Sequence, residues 1–175
     1  MSRHVMLRVI VTGAALLVAG CGNSDSSNSA TSSTEPKASF ADYANLTADG
    51  PTLLKLSTDK KALALGKTVF LTTCASCHGP KGQGMTNAPN MTDDHYLWVK
   101  KIADIPQIVR TGRNNGAMAP WEGKLTPTQI LLVSAYMASL RGTNETGNPA
   151  WGPAIPAWAD TVNDTSPPAT ERAPQ

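Results

Sequence analysis

The pentapeptide Cys74-Ala75-Ser76-Cys77-His78 constrains this chain more than any other feature. Two cysteines three apart on one helical turn present both sulfurs on one side, and the histidine directly behind turns its imidazole toward the same space. Thiols placed to add across the vinyl groups of a porphyrin, with an imidazole placed to ligate its iron, predict one covalently attached haem c.

Two other uses of these residues compete. A redox-active dithiol usually follows a strand in a βαβ unit, and no strand pattern precedes Cys74. A four-sulfur zinc site needs a second CxxC, which the chain lacks. A Cys2His2 site would have to recruit His78 and His95, but His78 abuts Cys77 too closely for both to share one tetrahedral ion comfortably.

Arg3 and Arg8 open the chain, an apolar run follows from Val9 to Ala19, and Val18-Ala19-Gly20-Cys21 resembles the cleavage box of a bacterial lipoprotein. Residues 1–20 are therefore expected to be a signal peptide and Cys21 to carry lipid. The run falls short of the roughly 20 apolar residues that span a bilayer. With Cys74 and Cys77 given to haem, no thiol remains for a disulfide, which suits an oxidising compartment on the periplasmic side of a bacterial membrane. Gly22 after the lipid cysteine points to the outer membrane and an oxidase partner to the inner one, so the choice between them stays open.

Of the 15 Lys and Arg, Arg3 and Arg8 precede Cys21, which leaves 13 against 13 Asp and Glu. A mature chain this close to neutrality gives no reason to expect nucleic acid as a partner.

Residues 21–58 are expected to form a tether behind the lipidated Cys21. From Gly22 to Lys37 it is Ser, Asn and Thr with almost nothing apolar, too little to offset the entropy of ordering. Residues 38–58 are less decided, because Phe40, Tyr43, Leu46, Leu53, Leu54 and Leu56 are able to lie against a folded domain. The compact part is expected at 59–142, a length at which a protein core alone is marginal and haem would supply apolar mass.

Within that part Asp59 caps a helix from Lys60 through Phe70. Gly66 inside it costs about 1 kcal/mol against alanine and hints at a close helix contact. A second helix opens at Thr126-Pro127-Thr128-Gln129, a capping box with proline in the first turn. It carries Ile130, Val133, Met137 and Leu140 as one stripe bordered by Tyr136, and closes at Arg141 and Gly142. A third, shorter helix is expected around Pro106–Thr111, introduced by Asp104 and stopped by Gly112. No run of alternating strands is present, so the fold class is all-α. Residues 143–175 hold six prolines and two tryptophans. They read as a partly disordered tail in which Trp151 to Trp158 lies extended on the domain or on a partner.

An electron-carrying haem needs a second axial ligand opposite His78. The candidates are Met85, Met91, Met118, Met137 and His95. Met137 sits among core residues of a helix, Met85 follows His78 too closely, Met91 belongs to a loop on the histidine side, and His95 stands beside Asp93 and Asp94 in a polar stretch suited to a surface. Met118, in the loop Asn114-Asn115-Gly116-Ala117-Met118-Ala119-Pro120 with small neighbours, is assigned as the iron ligand.

Gly66 to Phe70, Cys74 to His78, Ala88-Pro89-Asn90-Met91-Thr92-Asp93-Asp94, Gly112-Arg113-Asn114-Asn115 with Met118, and Leu125 to Leu140 together resemble the monohaem class I cytochromes c. The likeness is greatest to the haem domains of the diheme subunit of cbb-type haem-copper oxidases, and covers about half the chain. It implies crossed N- and C-terminal helices, with haem enclosed by loops and a short middle helix. It also implies that the Pro89 carbonyl accepts the Nδ1 hydrogen of His78, and that Arg113 and Trp121 contact the haem propionates. The chain departs from that subunit in its single haem motif, its lipoprotein start, its lack of a membrane helix and its Pro/Trp tail.

The expected function is that of a lipid-anchored electron carrier between a periplasmic or membrane donor, such as a cytochrome bc complex, and an acceptor such as a cbb-type terminal oxidase. No substrate bond is broken, so the chain is not expected to be an enzyme by itself. A haem subunit of a dehydrogenase or oxidase is a variant of this reading. The rival class is a gas-binding or peroxidase-like haem protein, which needs an open sixth position.

Overall fold

The computed structural model describes residues 37–85, 87–113 and 116–166. The expected signal peptide, Cys21 and the polar part of the tether lie outside the described residues, as does the end of the tail. After a 3-10 turn at Phe40–Tyr43 come six helices: α1 Gly50–Leu56, α2 Lys60–Thr73, α3 Ala75–His78, α4 Asp104–Thr111, α5 Pro127–Leu140 and α6 Trp158–Thr161. Among the described residues the only β pairing is three isolated bridges, so the fold is all-α. None of these helices is long and apolar enough to cross a membrane.

The helix starts follow local chemistry. Asp59 Oδ1 accepts hydrogen bonds from the Lys61 and Ala62 amides at 2.8 and 2.9 Å. At α5 the Thr126 hydroxyl accepts from the Gln129 amide while the Gln129 side chain accepts from the Thr126 amide, at 3.2 and 2.9 Å. Both caps satisfy amides that have no partner within the helix.

α2 and α5 pack together where Gly66 meets Leu132. A Cβ built on Gly66 would collide with the Leu132 carbonyl oxygen and lie 2.9 Å from Tyr136 Cβ. One turn further, Phe70 stacks obliquely on Tyr136 with ring centroids 5.3 Å apart. The helix-interior glycine is therefore an interhelical contact, as its placement in the sequence suggests.

Three sequence expectations are revised by the packing. α5 is buried on more than one stripe: Leu131, Leu132, Ala135 and Ala138 join a core with Leu53, Leu56, Ile102, Ile105 and Trp158. Ile130, Val133, Tyr136 and Leu140 join a second with Phe70, Val109 and Met91. The packed unit accordingly reaches beyond 59–142 at both ends, because α1 and Trp158 each cover apolar surface of α5 that water would otherwise meet. Arg141, read as a cation for the helix end, instead donates to the Pro156 and Ile155 carbonyls at 2.7 and 2.6 Å. Its guanidinium lies 4.5 Å from the Trp158 ring centroid.

Gly66→Ala is expected to cost about 1–3 kcal/mol, the range for overpacking a filled interface, because the obstructing atom is a backbone oxygen that no rotamer change moves. A denaturant titration checks it: the midpoint should fall with the slope unchanged.

Candidate haem site

The haem-type motif occupies one turn at the end of α2. Cys74 caps α2 through its amide bond to the Phe70 carbonyl at 2.8 Å. The Cys77 and His78 amides both donate back to the Cys74 carbonyl, at 3.1 and 3.0 Å. Gly79, at φ +77°, ends the turn in a conformation that disfavours any residue with a Cβ.

Cys74, Cys77 and His78 face a cavity of about 680 Å³. Its wall is largely apolar, with Ile105, Ile108 and Val109 from α4 and Met137 from α5 among the lining side chains. The fit to a bulky apolar prosthetic group is direct, because the two thiols and the imidazole open into one greasy space large enough for a sizeable ligand.

Burial, with the neighbouring Cys77 thiol adding to it, pushes the Cys74 thiol up to about 11. Among the described residues no three His, Cys, Asp or Glu side chains gather into a metal-holding group.

His78 is buried, at 9% exposure. Burial pulls its imidazole below the usual histidine range, opposed by the backbone of Pro89. It is therefore neutral at pH 7, the form that ligates metal. Its Nδ1 is buried and makes no hydrogen bond of full geometry, while the Pro89 backbone acts on it as a weak acceptor.

Met118 is presented by a tight hairpin. The Arg113 amide donates to the Met118 carbonyl at 3.0 Å and the Met118 amide returns the bond at 3.1 Å. Gly112, at φ +69°, lets this happen, since a Cβ there would collide with the Met118 carbonyl oxygen. The Met118 side chain lines the cavity, and so do Met85, Met91, Met137 and His95.

The other four candidates have separate surroundings. Met91 is 5% exposed in the second core cluster, Met137 packs against both clusters, and Met85 is 44% exposed. His95, expected at the surface, also borders the cavity, with its Nδ1 2.9 Å from Asp94 Oδ1 but out of hydrogen-bond alignment.

Arg113 and Trp121 both line the cavity. The Arg113 Nη1 donates to Thr111 Oγ1 and the Gly112 carbonyl at 2.7 and 2.8 Å, while its Nε is buried without a partner. Lys124 lies 5.5 Å from the Trp121 ring centroid. A buried guanidinium N–H with nothing to donate to fits an acidic group carried by the occupant of the cavity.

Trp98 and Trp151 also form wall, edge to face at 5.7 Å, and neither was singled out as a site residue from sequence. Trp151 did stand out as one of two tryptophans in a proline-rich tail, but nothing local ties such a residue to a cavity whose other lining residues lie 14 to 78 positions earlier.

Residues 61–137 match the family model of cytochrome c oxidase, cbb3-type, subunit III. This part of the chain is similar to cytochrome c domains, and the group that such a domain binds is covalent haem c. The likeness is to subunits of the cbb3-type cytochrome c oxidases. The FixP subunit of Bradyrhizobium sp. ORS 278 is 38% identical over 81 residues, 45% of this chain and 28% of the relative. The FixP subunit of Bradyrhizobium diazoefficiens is 37% identical over 101 residues, 53% and 33% of the two chains. The CcoP subunit of Rubrivivax gelatinosus is 34% identical over 88 residues, 50% and 29%. The chain thus spans about a third of the length of these relatives. Among solved structures, cytochrome cL of Methylophaga aminisulfidivorans aligns at a TM-score of 0.45 with 26% identity, over 53% of this chain and 68% of that one.

A cavity of this size should collapse or flood when nothing fills it. The Cys74→Ala, Cys77→Ala double variant, unable to hold haem covalently, is expected to lose its cooperative helical melt by circular dichroism. A native-like transition would show that the protein core suffices alone.

Proposed function

We propose that this protein is a membrane-tethered c-type cytochrome that carries single electrons between a periplasmic or membrane donor and an acceptor such as a terminal oxidase. The observation that carries the reading is the Cys74–His78 turn opening, together with the Met118 hairpin, into one apolar cavity of about 680 Å³. The similarity to cbb3-type oxidase subunits supports an oxidase as partner.

The bound haem supplies a one-electron change of iron valence. Cys74 and Cys77 hold it by thioether bonds, and His78 and Met118 offer the nitrogen and sulfur donors to its iron. The Pro89 carbonyl accepts the His78 Nδ1 hydrogen once the ring settles, fixing the tautomer and strengthening the donor. Arg113 and Trp121 receive the propionates. The apolar wall keeps water from the iron and lowers the local dielectric, which favours the less charged state. A single haem follows from the single CxxCH. The chain breaks no substrate bond and acts as a carrier or as a subunit of an oxidoreductase, and Cys21 attaches it to the membrane through lipid.

Met118→Ala is expected to abolish the weak absorption near the red edge of the visible that reports thioether bound to ferric iron, and to open the reduced protein to carbon monoxide. An unaltered band would remove Met118 from the iron and leave the other methionines and His95 to be tested.

The carrier role has its own readout. Purified protein should be reduced rapidly by a cytochrome bc-type donor and reoxidised by membranes containing a cbb-type oxidase, and inertness toward both would refute it.

A further inference from the structure

The chain beyond α5 clasps the loop that carries Pro89. The Gly142 and Asn144 amides donate to the Thr92 carbonyl at 2.7 and 3.1 Å, and the Glu145 amide to the Thr92 hydroxyl at 2.9 Å. Further along, the Tyr96 amide donates to the Pro153 carbonyl and the Ile155 amide to the Asp94 carbonyl, at 3.1 and 3.0 Å. Between these two ends lies Asn148. Its amide donates to the Gln83 carbonyl at 2.9 Å, and its Nδ2 donates to the Ala88 carbonyl at 2.7 Å. Asn90 Nδ2 donates in return to the Asn148 carbonyl at 3.3 Å.

These contacts bracket one residue. Pro89 has no N–H with which to anchor itself, so its carbonyl goes where its two flanking peptide units put it. Asn148 holds the Ala88 carbonyl on one side and the Asn90 side chain on the other. The held loop is also tied to the histidine turn, because the Gly84 amide donates to the His78 carbonyl at 2.8 Å. The close fit leaves little play: a Cβ on Gly84 would lie 3.0 Å from Asn148 Cβ, and one on Gly147 would collide with the Gln83 carbonyl oxygen.

We propose that Asn148 is a positioning residue for the haem site: by holding the Ala88 carbonyl before Pro89 and the Asn90 side chain after it, it sets how closely the Pro89 carbonyl approaches His78 Nδ1. The Nδ1, buried with only a weak acceptor at Pro89 beside it, makes the consequence concrete. A small displacement of this loop decides whether the imidazole gains a strong acceptor, and a histidine whose Nδ1 hydrogen is accepted donates more strongly to iron and stabilises its oxidised state. The inference rests on the cytochrome reading given above.

The test compares two variants of the full-length, haem-loaded protein. Asn148→Ala removes the donor to Ala88. At a fixed ambient potential it should raise the reduced-to-oxidised ratio about three- to tenfold, roughly 30–59 mV for one electron, and should speed exchange of the Gly84, Ala88 and Met91 amides. Trp158→Phe cuts the Trp158 Nε1 bond to the Ala138 carbonyl, 3.0 Å long, at the far end of the same segment. It should lower the melting midpoint and leave the ratio unmoved. If Asn148→Ala does not accumulate, Asn148→Ser serves, since its hydroxyl is too short to reach Ala88.

The proposal stands if both the ratio and the exchange move in the Asn148 variant. Either one unmoved overturns it, and so does an equal shift of the ratio in Trp158→Phe. Pigment retained by the wild-type chain with no shift in the variant sinks this proposal alone. A wild-type chain that releases all pigment into acid-acetone sinks the cytochrome reading and this proposal with it.

Discussion

The contact of α2 with α5 at Gly66 is the constraint on which the remaining structure depends. Two helices of 14 residues each come close enough that one backbone carbonyl occupies the space a side chain would take. That approach fixes the end of α2, and the end of α2 is the cysteine turn. It also fixes α5, whose Met137 borders the cavity opposite apolar residues of α4. The prosthetic site is what remains open when these helices are packed, with loops closing its sides.

Covalent attachment and cavity shape act together on a small core. A compact unit of this size buries too little apolar surface to stabilise itself generously, and this one devotes part of its interior to a ligand. Thioether bonds from Cys74 and Cys77 would keep haem from leaving, so that the apolar wall stays covered and its burial contributes to folding as core residues do. The same wall would exclude water from the iron, so one set of side chains would serve stability and potential at once.

The segment after α5 shows how a chain adapts a shared domain. Proline and glycine prevent it from continuing the helix, and it lies along the loop from Gln83 to Tyr96 instead. It brings Trp151 to the cavity, Trp158 to the core and Asn148 to the loop beside His78. Loops that carry ligands tend to be mobile unless something holds them, and here the holding element is contributed by residues 50 to 65 positions away in sequence.

Much of this was legible from local spacing alone. The cysteine turn, the caps at Asp59 and Thr126 and the short helix ended by Gly112 all depend on residues within a few positions of one another, where backbone geometry leaves few choices. The sequence could name five candidates for the sixth ligand, and the structure places all five along the cavity, so the choice of Met118 draws on its hairpin rather than on proximity.

What local spacing could not supply is which distant segments meet. The burial of Leu53 and Leu56 under α5, the turn of Arg141 toward Trp158, and the clasp of Asn148 on Ala88 are decided by how helices cross and where a proline-rich strand is then free to lie. By itself the sequence determined that Cys74, Cys77 and His78 share one turn and one side of it, because local backbone geometry dictates where those atoms point. Only the tertiary structure decided what surrounds them, because a contact across 60 residues is set by the packing of everything between.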